Sequence, residues 1–306
     1  MIRIGIDLGG TNIAVGAVDD SHTIVSRVSV PTLAHRPAAE VVGDMGDAVE
    51  AALAKAGLSI GGCRSIGIGS PGTCNSAAGV VERAYNLGWD HVPVCRMLEE
   101  RFHVPCRLSN DANCAALAEQ VAGAAVGHDN VVLITLGTGV GGGILTGGHL
   151  LEGARGLGGE LGHYRTHALD GVDCTCGAKG CWERYAATTA LVRAAQEKDP
   201  DWKDGRAIFA AAEAGNETVL ALLDHWTDEI AQGLAGMVHI FNPQLILIGG
   251  GVSAQQKLLI EPIAAKVKAS VMPAFAEGLE VRAAQLHNDA GMVGAVYYFR
   301  QTMEKE

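Results

Sequence analysis

Hydrophobic and polar positions along the chain follow two different periods. Alternation at every second residue, as in MIRIGID at the N-terminus, predicts β-strands over 2–8, 13–18, 24–30, 64–69, 104–108, 131–136, 142–146, 244–248 and 279–285. Apolar residues at helical spacing predict α-helices over 38–56, 112–125, 184–197, 216–240, 255–271 and 289–301. Short glycine or proline turns separate the two kinds of segment, which is typical of an α/β protein.

Length and apolar content set the size of the unit. The chain has 306 residues, 48% of them hydrophobic, so it can fill a large core. No low-complexity linker interrupts it. We expect two lobes: a smaller N-terminal lobe of residues 1–111 plus 287–306, to which the last helix returns, and a larger lobe of residues 112–286.

A weak internal repeat joins two glycine-rich segments, IRIGIDLGGTNIAVGAVDD and VVLITLGTGVGGGILTGGH. Each predicts a β-hairpin with a glycine-threonine tip, whose backbone N–H groups can approach an anion closely. We expect one tip in each lobe, the two facing each other around a polyphosphate. Gly137, Gly139 and Gly142 also match a dinucleotide fingerprint, but that motif needs a helix directly after its glycines, whereas an extended segment follows here.

Two strand ends carry further candidate chemistry. Gly249, Gly250 and Gly251 follow the apolar run LILI, where the base and ribose of a nucleotide can lie; a tight strand-to-helix connection is the alternative. Asn110 and Asp111 stand between a strand and a helix. They can cap the helix, or Asp111 can act as a general base that accepts a proton from a substrate hydroxyl.

The segment from Glu160 to Glu183 contains four potential zinc ligands. Cys174, Cys176 and Cys181 lie within eight residues, and His163 lies eleven residues before the first of them. Three thiolates and one imidazole match a closed tetrahedral zinc site, which builds structure and leaves no position for a substrate. Closing the loop brings Glu160 and Glu183 together, so we expect a structural metal beside a binding surface.

A disulfide among these three cysteines is disfavoured. The other five cysteines are scattered, several of them within apolar runs, as in reduced cytosolic proteins. A nucleic-acid zinc finger needs basic surroundings, whereas the formal net charge is −11. Three buried thiols beside a surface histidine, without metal, remain the alternative to a zinc site.

The sequence shows no pattern typical of a membrane span or of an N-terminal signal peptide. No apolar run reaches the roughly 20 residues that span a bilayer, and the N-terminus begins directly with a strand pattern. We therefore expect a cytoplasmic protein with neither membrane nor nucleic-acid partners.

Four features in a fixed order, DLGGT, SPG with ND, ELGH with CTCGAKGCWE, and a glycine-rich strand end, resemble the ROK family of bacterial sugar kinases. The resemblance runs from end to end of the chain. It implies the two-lobed actin-like, hexokinase-like fold of the ribonuclease-H-like type, with ATP and sugar in an interlobe cleft. It also implies ATP, Mg²⁺ and a structural Zn²⁺ as cofactors, and we expect a homodimer or homotetramer.

The resemblance assigns roles to residues. Asp7 is expected to hold Mg²⁺, while the phosphates are expected to contact Gly9, Gly10, Thr11, Asn12, Gly137, Thr138 and Gly139. Family members often have lysine where Asn12 stands. The sugar hydroxyls are expected to contact Gly72, Asn110, Asp111, Glu160, His163 and Glu183, with Asp111 as the base and His163 serving both zinc and sugar.

The implied reaction is transfer of the ATP γ-phosphoryl group to the 6-hydroxyl of a hexose. The residues of the cysteine loop most resemble those of the glucokinases in the family. N-acetylmannosamine, N-acetylglucosamine, allose and fructose are alternative substrates. Sugar-responsive repressors of the family carry a helix-turn-helix segment ahead of the first strand, and here a strand begins at Ile2. A non-catalytic sugar sensor is the remaining alternative, and the presence of Asp111 and both tips disfavours it.

Overall fold

A computed structural model of the protein describes residues 1–303. The strands are β1 Ile2–Leu8, β2 Asn12–Val18, β3 Ile24–Pro31, β4 Cys63–Ser70, β5 Thr73–Asn75, β6 Val80–Ala84, β7 Trp89–Val92, β8 Cys106–Asn110, β9 Val131–Leu136, β10 Val140–Thr146, β11 His149–Leu150, β12 Leu245–Gly249 and β13 Glu280–Ala283. The α-helices are α1 Ala38–Lys55, α2 Val94–Phe102, α3 Asp111–Ala122, α4 Glu183–Ala186, α5 Thr188–Gln196, α6 Gly205–Glu213, α7 Glu217–Phe241, α8 Glu261–Ser270, α9 Pro273–Ala276 and α10 Ala290–Met303.

The chain divides into two compact units. Unit 1 contains residues 1–126, 150–159 and the C-terminal residues from 288, and unit 2 contains residues 127–149 and 160–287. Helix α3 belongs to unit 1 because it packs against α10. The lobe boundary drawn near residue 112 stays a prediction.

Unit 1 is built on a five-stranded sheet in the order β3-β2-β1-β4-β8. The first three strands are antiparallel neighbours, whereas β1, β4 and β8 run parallel. Parallel strands align their carboxyl ends at one edge, so the ends of β1, β4 and β8 bring Asp7, Ser70 and Asn110 to the same side of this sheet. A separate three-stranded sheet, β5-β6-β7, follows β4 in the same unit.

Unit 2 repeats the strand order, with its sheet running β11-β10-β9-β12-β13. The β9–β10 pair is antiparallel, and β9, β12 and β13 are parallel. The two hairpins predicted from the internal repeat are therefore confirmed as β1–β2 and β9–β10. Each hairpin belongs to a five-stranded sheet, and the two sheets have the same topology. The core of this unit is centred on α7, which buries Trp226, Ile230 and Leu234, and on Trp182, which is fully buried.

The α/β class is confirmed, but the pattern missed several elements. These are the sheet β5-β6-β7, strand β11 and helices α2, α6 and α9. The single helix predicted over 184–197 is wrong: Ala187 is extended, so α4 ends and α5 begins there. The indole N–H of Trp226 donates to the carbonyl oxygen of Ala186 (3.0 Å) at this break, a tertiary contact that helical periodicity cannot reveal. In the part of the chain that the structure describes, no helix has the length and apolarity needed to cross a membrane.

Candidate functional site

The tip of the β1–β2 hairpin is shaped by backbone and threonine contacts. The N–H of Gly9 donates to the carbonyl of Asn12 (2.9 Å), which closes the turn. Thr32, which directly follows β3 and is fully buried, donates its hydroxyl to the carbonyl of Gly9 (2.7 Å) and its N–H to that of Thr11 (2.8 Å). Thr32, which the sequence pattern did not single out, thus stabilises the predicted phosphate tip of unit 1.

Asp7 stands on β1 next to this tip with an unpartnered carboxylate. Among residues 1–303 it makes no hydrogen bond and no ion pair, and burial raises its pKa to about 6. Gly291 at the start of α10 packs directly against the carboxylate, in space that a Cβ would fill. An ionised carboxylate is costly to bury without a partner, and Mg²⁺ prefers oxygen ligands. The surroundings of Asp7 therefore fit a bound Mg²⁺.

Asn110 and Asp111 have separable roles at the end of β8. The Asn110 side-chain oxygen caps α3 by accepting from the N–H groups of Ala112 (2.9 Å) and Asn113 (3.4 Å), while its amide N–H donates to the carbonyl of Gly72 (3.2 Å). Asp111 also accepts from Ala112 (2.8 Å). Because Asn110 already caps the helix, capping alone does not demand a carboxylate at position 111. Gly72, Asn110 and Asp111 are thus brought together in unit 1.

His163, Cys174, Cys176 and Cys181 form a cluster in unit 2, which we call the Cys3His cluster. Their ligand atoms all lie within 4.8 Å of one another. The Cys176 and Cys181 sulfurs are 3.6 Å apart, and His163 Nδ1 is 3.7 Å from the Cys174 sulfur. Ligand atoms around a tetrahedral zinc lie about 3.5–3.8 Å apart, given Zn–S and Zn–N bonds of about 2.3 and 2.0 Å. These two separations therefore match those of a tetrahedral zinc site, and the remaining ligand atoms lie within 4.8 Å.

The acids that flank this cluster lie close to it. The Cys174 thiol donates to Glu183 Oε1 (3.1 Å), and His163 Nδ1 lies 3.8 Å from the same oxygen. Desolvation and then the Glu183 carboxylate raise the pKa of Glu160, against the opposing effect of His163. Glu160, His163 and Glu183 are thus electrostatic neighbours, and their role as sugar ligands stays a prediction.

A sequence model of the ROK family matches residues 3–302. The chain belongs to the ROK family. It is 35% identical to a glucokinase of Halalkalibacterium halodurans over 99% of this chain and 97% of the relative, and 36% identical to a glucokinase of Thermotoga maritima over 97% of each. A ROK glucokinase of Streptomyces griseus, crystallised with glucose and AMPPNP, superposes with a TM-score of 0.85 at 35% identity, covering 98% of this chain and all of that one. The hexokinase-like two-lobed fold expected from the sequence is confirmed.

In this ROK protein the second tip is fastened to α5. The Thr189 hydroxyl donates to the carbonyl of Thr138 (2.7 Å), and the N–H of Gly137 donates to the carbonyl of Gly139 (3.0 Å). A Cβ added at Gly139 would lie 2.5 Å from Glu183 Oε2, so a larger residue here would displace this carboxylate. The predicted phosphate tip and the predicted sugar acid of unit 2 are thereby in direct contact.

A cavity of about 310 Å³ lies beside Gly251 in unit 2. It is lined by Thr188, Asp204, Gly205, Arg206, Phe209, Gly251, Val252 and Gln255. Thr188 donates its hydroxyl to the carbonyl of Leu136 (3.2 Å) and precedes Thr189, so the cavity adjoins the second tip. Of the three glycines predicted to border the nucleoside, Gly251 lines this cavity; the remaining lining comes from α5, α6 and the turn after β12, which the sequence pattern did not connect.

Proposed function

We propose that this ROK protein is an ATP-dependent kinase that phosphorylates the 6-hydroxyl of glucose. The observation that carries the proposal is the carboxylate of Asp111 at the end of β8, beside an asparagine that already caps the helix. The choice of glucose rests on the 35–36% identity to glucokinases over nearly the whole chain.

In the proposed reaction Asp111 accepts the proton of the 6-hydroxyl as the oxygen attacks the γ-phosphorus of ATP. The new bond joins that oxygen to phosphorus, the bond from phosphorus to the β–γ bridging oxygen breaks, and ADP leaves with the electron pair. Asn110 orients the sugar beside Gly72, and Glu160, His163 and Glu183 accept or donate hydrogen bonds to its other hydroxyls.

Asp7 and the two tips bind the nucleotide in this proposal. Asp7 holds Mg²⁺, which neutralises charge on the phosphates when bound. Gly9, Gly10, Thr11 and Asn12 of unit 1 contact phosphate oxygens, and so do Gly137, Thr138 and Gly139 of unit 2. The nucleoside occupies the cavity beside Gly251, where Phe209 offers an apolar face and Asp204 and Gln255 offer polar atoms.

A coupled assay of ADP release across a panel of hexoses tests the proposal. We expect the highest kcat/KM with glucose, compared with N-acetylmannosamine, N-acetylglucosamine, allose and fructose at equal concentrations. Strong discrimination is expected because a misplaced hydroxyl leaves buried polar groups unpaired. A higher value for any other sugar rejects glucose as the substrate, and absence of ADP release with every sugar rejects the kinase.

We propose that the Cys3His cluster binds one structural Zn²⁺ per chain. Three thiols and one imidazole are the ligand types of a closed zinc site, and the thiols would lose their protons on binding the metal. In this proposal Nδ1 of His163 faces the metal, and Nε2 remains for the sugar. With zinc bound at Nδ1, the tautomer and the orientation of the His163 ring would be fixed.

Replacing Cys176 with serine is expected to lower glucose affinity and thermal stability together. Cys176 is exposed, so the change removes a ligand with little loss of packing. We expect zinc content to fall well below one equivalent and glucose affinity to fall about 10-fold or more, because the sugar ligands are held by the same loop. Elemental analysis and calorimetric glucose titration measure both. Thr175→Ala, an exposed neighbour, is the control that should keep both at wild-type values. Full glucose affinity in zinc-free protein would refute the assignment.

Filling the cavity beside Gly251 is expected to weaken nucleotide binding alone. A Cβ at Gly251 meets no atom within 4 Å, so Gly251→Leu extends into open space without a backbone clash. We expect KM for ATP to rise at least about tenfold, roughly 1.4 kcal/mol, with KM for glucose unchanged. Gly61→Leu in unit 1, a site with comparable free space, is the control. Unchanged KM for ATP in Gly251→Leu places the nucleoside elsewhere.

A further inference from the structure

One residue of α7 contacts the segment that carries the Cys3His cluster at two points. The carbonyl oxygen of Glu229 accepts a hydrogen bond from the Trp182 indole (2.8 Å), and its carboxylate Oε1 lies 3.5 Å from Nε2 of His167. Trp182 is fully buried and stands between Cys181 and Glu183. His167 follows His163 by four residues. Glu229 therefore joins two points of the segment, fifteen residues apart, to one position on a long helix whose inner face is buried.

His167 is held on three sides. Its ring stacks on Tyr185, with centroids 3.8 Å apart and planes at 20°. Its Nδ1 is 3.0 Å from the Thr166 hydroxyl, and its other nitrogen faces Glu229. The Tyr185 hydroxyl in turn accepts a hydrogen bond from the N–H of Val172 (2.9 Å). Tyr185 belongs to α4, whose first residue is Glu183, so the stack connects the loop directly to the helix that presents a proposed sugar ligand.

The Glu229 carboxylate needs a partner. Its side chain is only 12% exposed, and within residues 1–303 its Oε2 atom is buried with no hydrogen bond. Two imidazoles approach Oε1: His167 at 3.5 Å, and His225, one turn earlier on α7, at 3.8 Å. His167 is 27% exposed whereas His225 is 76% exposed. Solvent screens the outer contact far more, so the contact to the loop is the stronger one.

These three side chains do not make a second metal site. Among the described residues, the Cys3His cluster is the only group of three or more histidines, cysteines and acids close enough to share an ion. The contact between His167 and Glu229 is therefore a link between the loop and the protein core that needs no metal. It lies on the face of the loop that meets α7, whereas the four zinc-ligand atoms face one another.

We propose that His167 is a positioning residue for the sugar site. His167 packs on Tyr185 and contacts Glu229. It thereby holds the loop against α7 and orients the side chains of Glu183 and His163. A bound zinc would join residues of the loop to one another, whereas His167 joins the loop to helix α7. This inference rests on the proposed sugar-binding role of Glu183 and His163.

The test compares His167→Ala with His225→Ala in the full-length, zinc-loaded protein. Both variants remove an imidazole from the same carboxylate, but only His167 belongs to the loop. For His167→Ala we expect about a tenfold rise in the dissociation constant and KM for glucose, with zinc content and KM for ATP unchanged. For His225→Ala we expect wild-type values. His167→Gln, whose amide N–H can donate to Glu229, is expected to recover part of the loss.

Glu229→Gln is the second variant, which serves if His167→Ala does not fold. It keeps the backbone bond to Trp182 and the shape of the side chain but removes the charge, so a smaller rise in the glucose dissociation constant is expected. Zinc-loaded His167→Ala with wild-type glucose affinity overturns the inference, even if its melting temperature is lower. An equal loss in His225→Ala also overturns it. If the wild-type protein itself binds no hexose, the proposed function is wrong. If the wild type binds glucose and His167→Ala binds it equally well, only the role of His167 is wrong.

Discussion

Replacing Asp111 with asparagine is expected to lower kcat by about 10²- to 10⁴-fold while the free energy of unfolding stays nearly unchanged. The amide keeps the shape of the side chain and can still accept from the N–H of Ala112, but it cannot accept a proton from the sugar hydroxyl. Steady-state kinetics and denaturant unfolding measure the two quantities. Stability is expected to persist because Asn110 continues to cap α3.

Asp19→Asn is the matched control for this prediction. Asp19 also accepts hydrogen bonds from backbone N–H groups, those of Ser21 (2.9 Å) and Thr23 (3.0 Å), but it lies in the turn after β2, away from the proposed base. The kcat of Asp19→Asn should equal that of the wild type. If Asp111→Asn also retains near-wild-type kcat, the carboxylate is only a second cap and the general-base role is wrong.

Replacing Asp7 with asparagine is expected to reduce turnover and to raise stability at the same time. Removing a group that stabilises charge on the phosphates typically lowers kcat by roughly 10²- to 10³-fold. Glucose binding in the absence of ATP should be spared. The gain in stability has a separate origin: burial raises the pKa of Asp7 from 3.8 to about 6, so ionising this group costs the folded protein about 3 kcal/mol at neutral pH.

Because the pKa of Asp7 is raised in the folded state, the stability gained by Asp7→Asn depends on pH. Between the unfolded pKa of 3.8 and the folded pKa of about 6, the folded state binds more protons, so wild-type stability falls as pH rises through that window. The advantage of Asp7→Asn should be about 3 kcal/mol at pH 7 without Mg²⁺ and should shrink to about 1 kcal/mol at pH 4.5. Denaturant titrations at the two pH values check this. Normal turnover with Mg-ATP in Asp7→Asn would show that Asp7 does not hold the metal.

The parts of the site that could be predicted from the sequence are those encoded within short segments. The two hairpin tips follow from a glycine-threonine turn between alternating strands, because such turns need glycine at positions that approach another backbone. The Cys3His cluster follows from ligand type and spacing, because three cysteines within eight residues and a nearby histidine can converge with little help from the rest of the fold. Asn110 as a helix cap is likewise a local preference.

Elements that depend on distant partners escaped prediction. The break at Ala187 coincides with a hydrogen bond from Trp226, 39 residues further along the chain, and the short strands of β5-β6-β7 have too few residues for periodicity to show. Thr32 supports the first tip from the end of another strand, although nothing in its own neighbourhood marks it. The cavity beside Gly251 combines α5 and α6 with the turn after β12, so no single stretch of sequence contains it.

By itself, the sequence determined the chemistry that is available: the carboxylates of Asp7 and Asp111, the glycine tips, and the thiols and imidazole of the Cys3His cluster. Local propensity and ligand spacing suffice for that, since both act over a few residues. Only the tertiary structure decided how these groups are tuned and held. Burial of Asp7 against Gly291 sets its raised pKa, and packing of the loop on α7 brings His167 to Glu229 across 62 residues of sequence. Desolvation and long-range contacts arise only when distant segments pack together, and they are therefore properties of the fold.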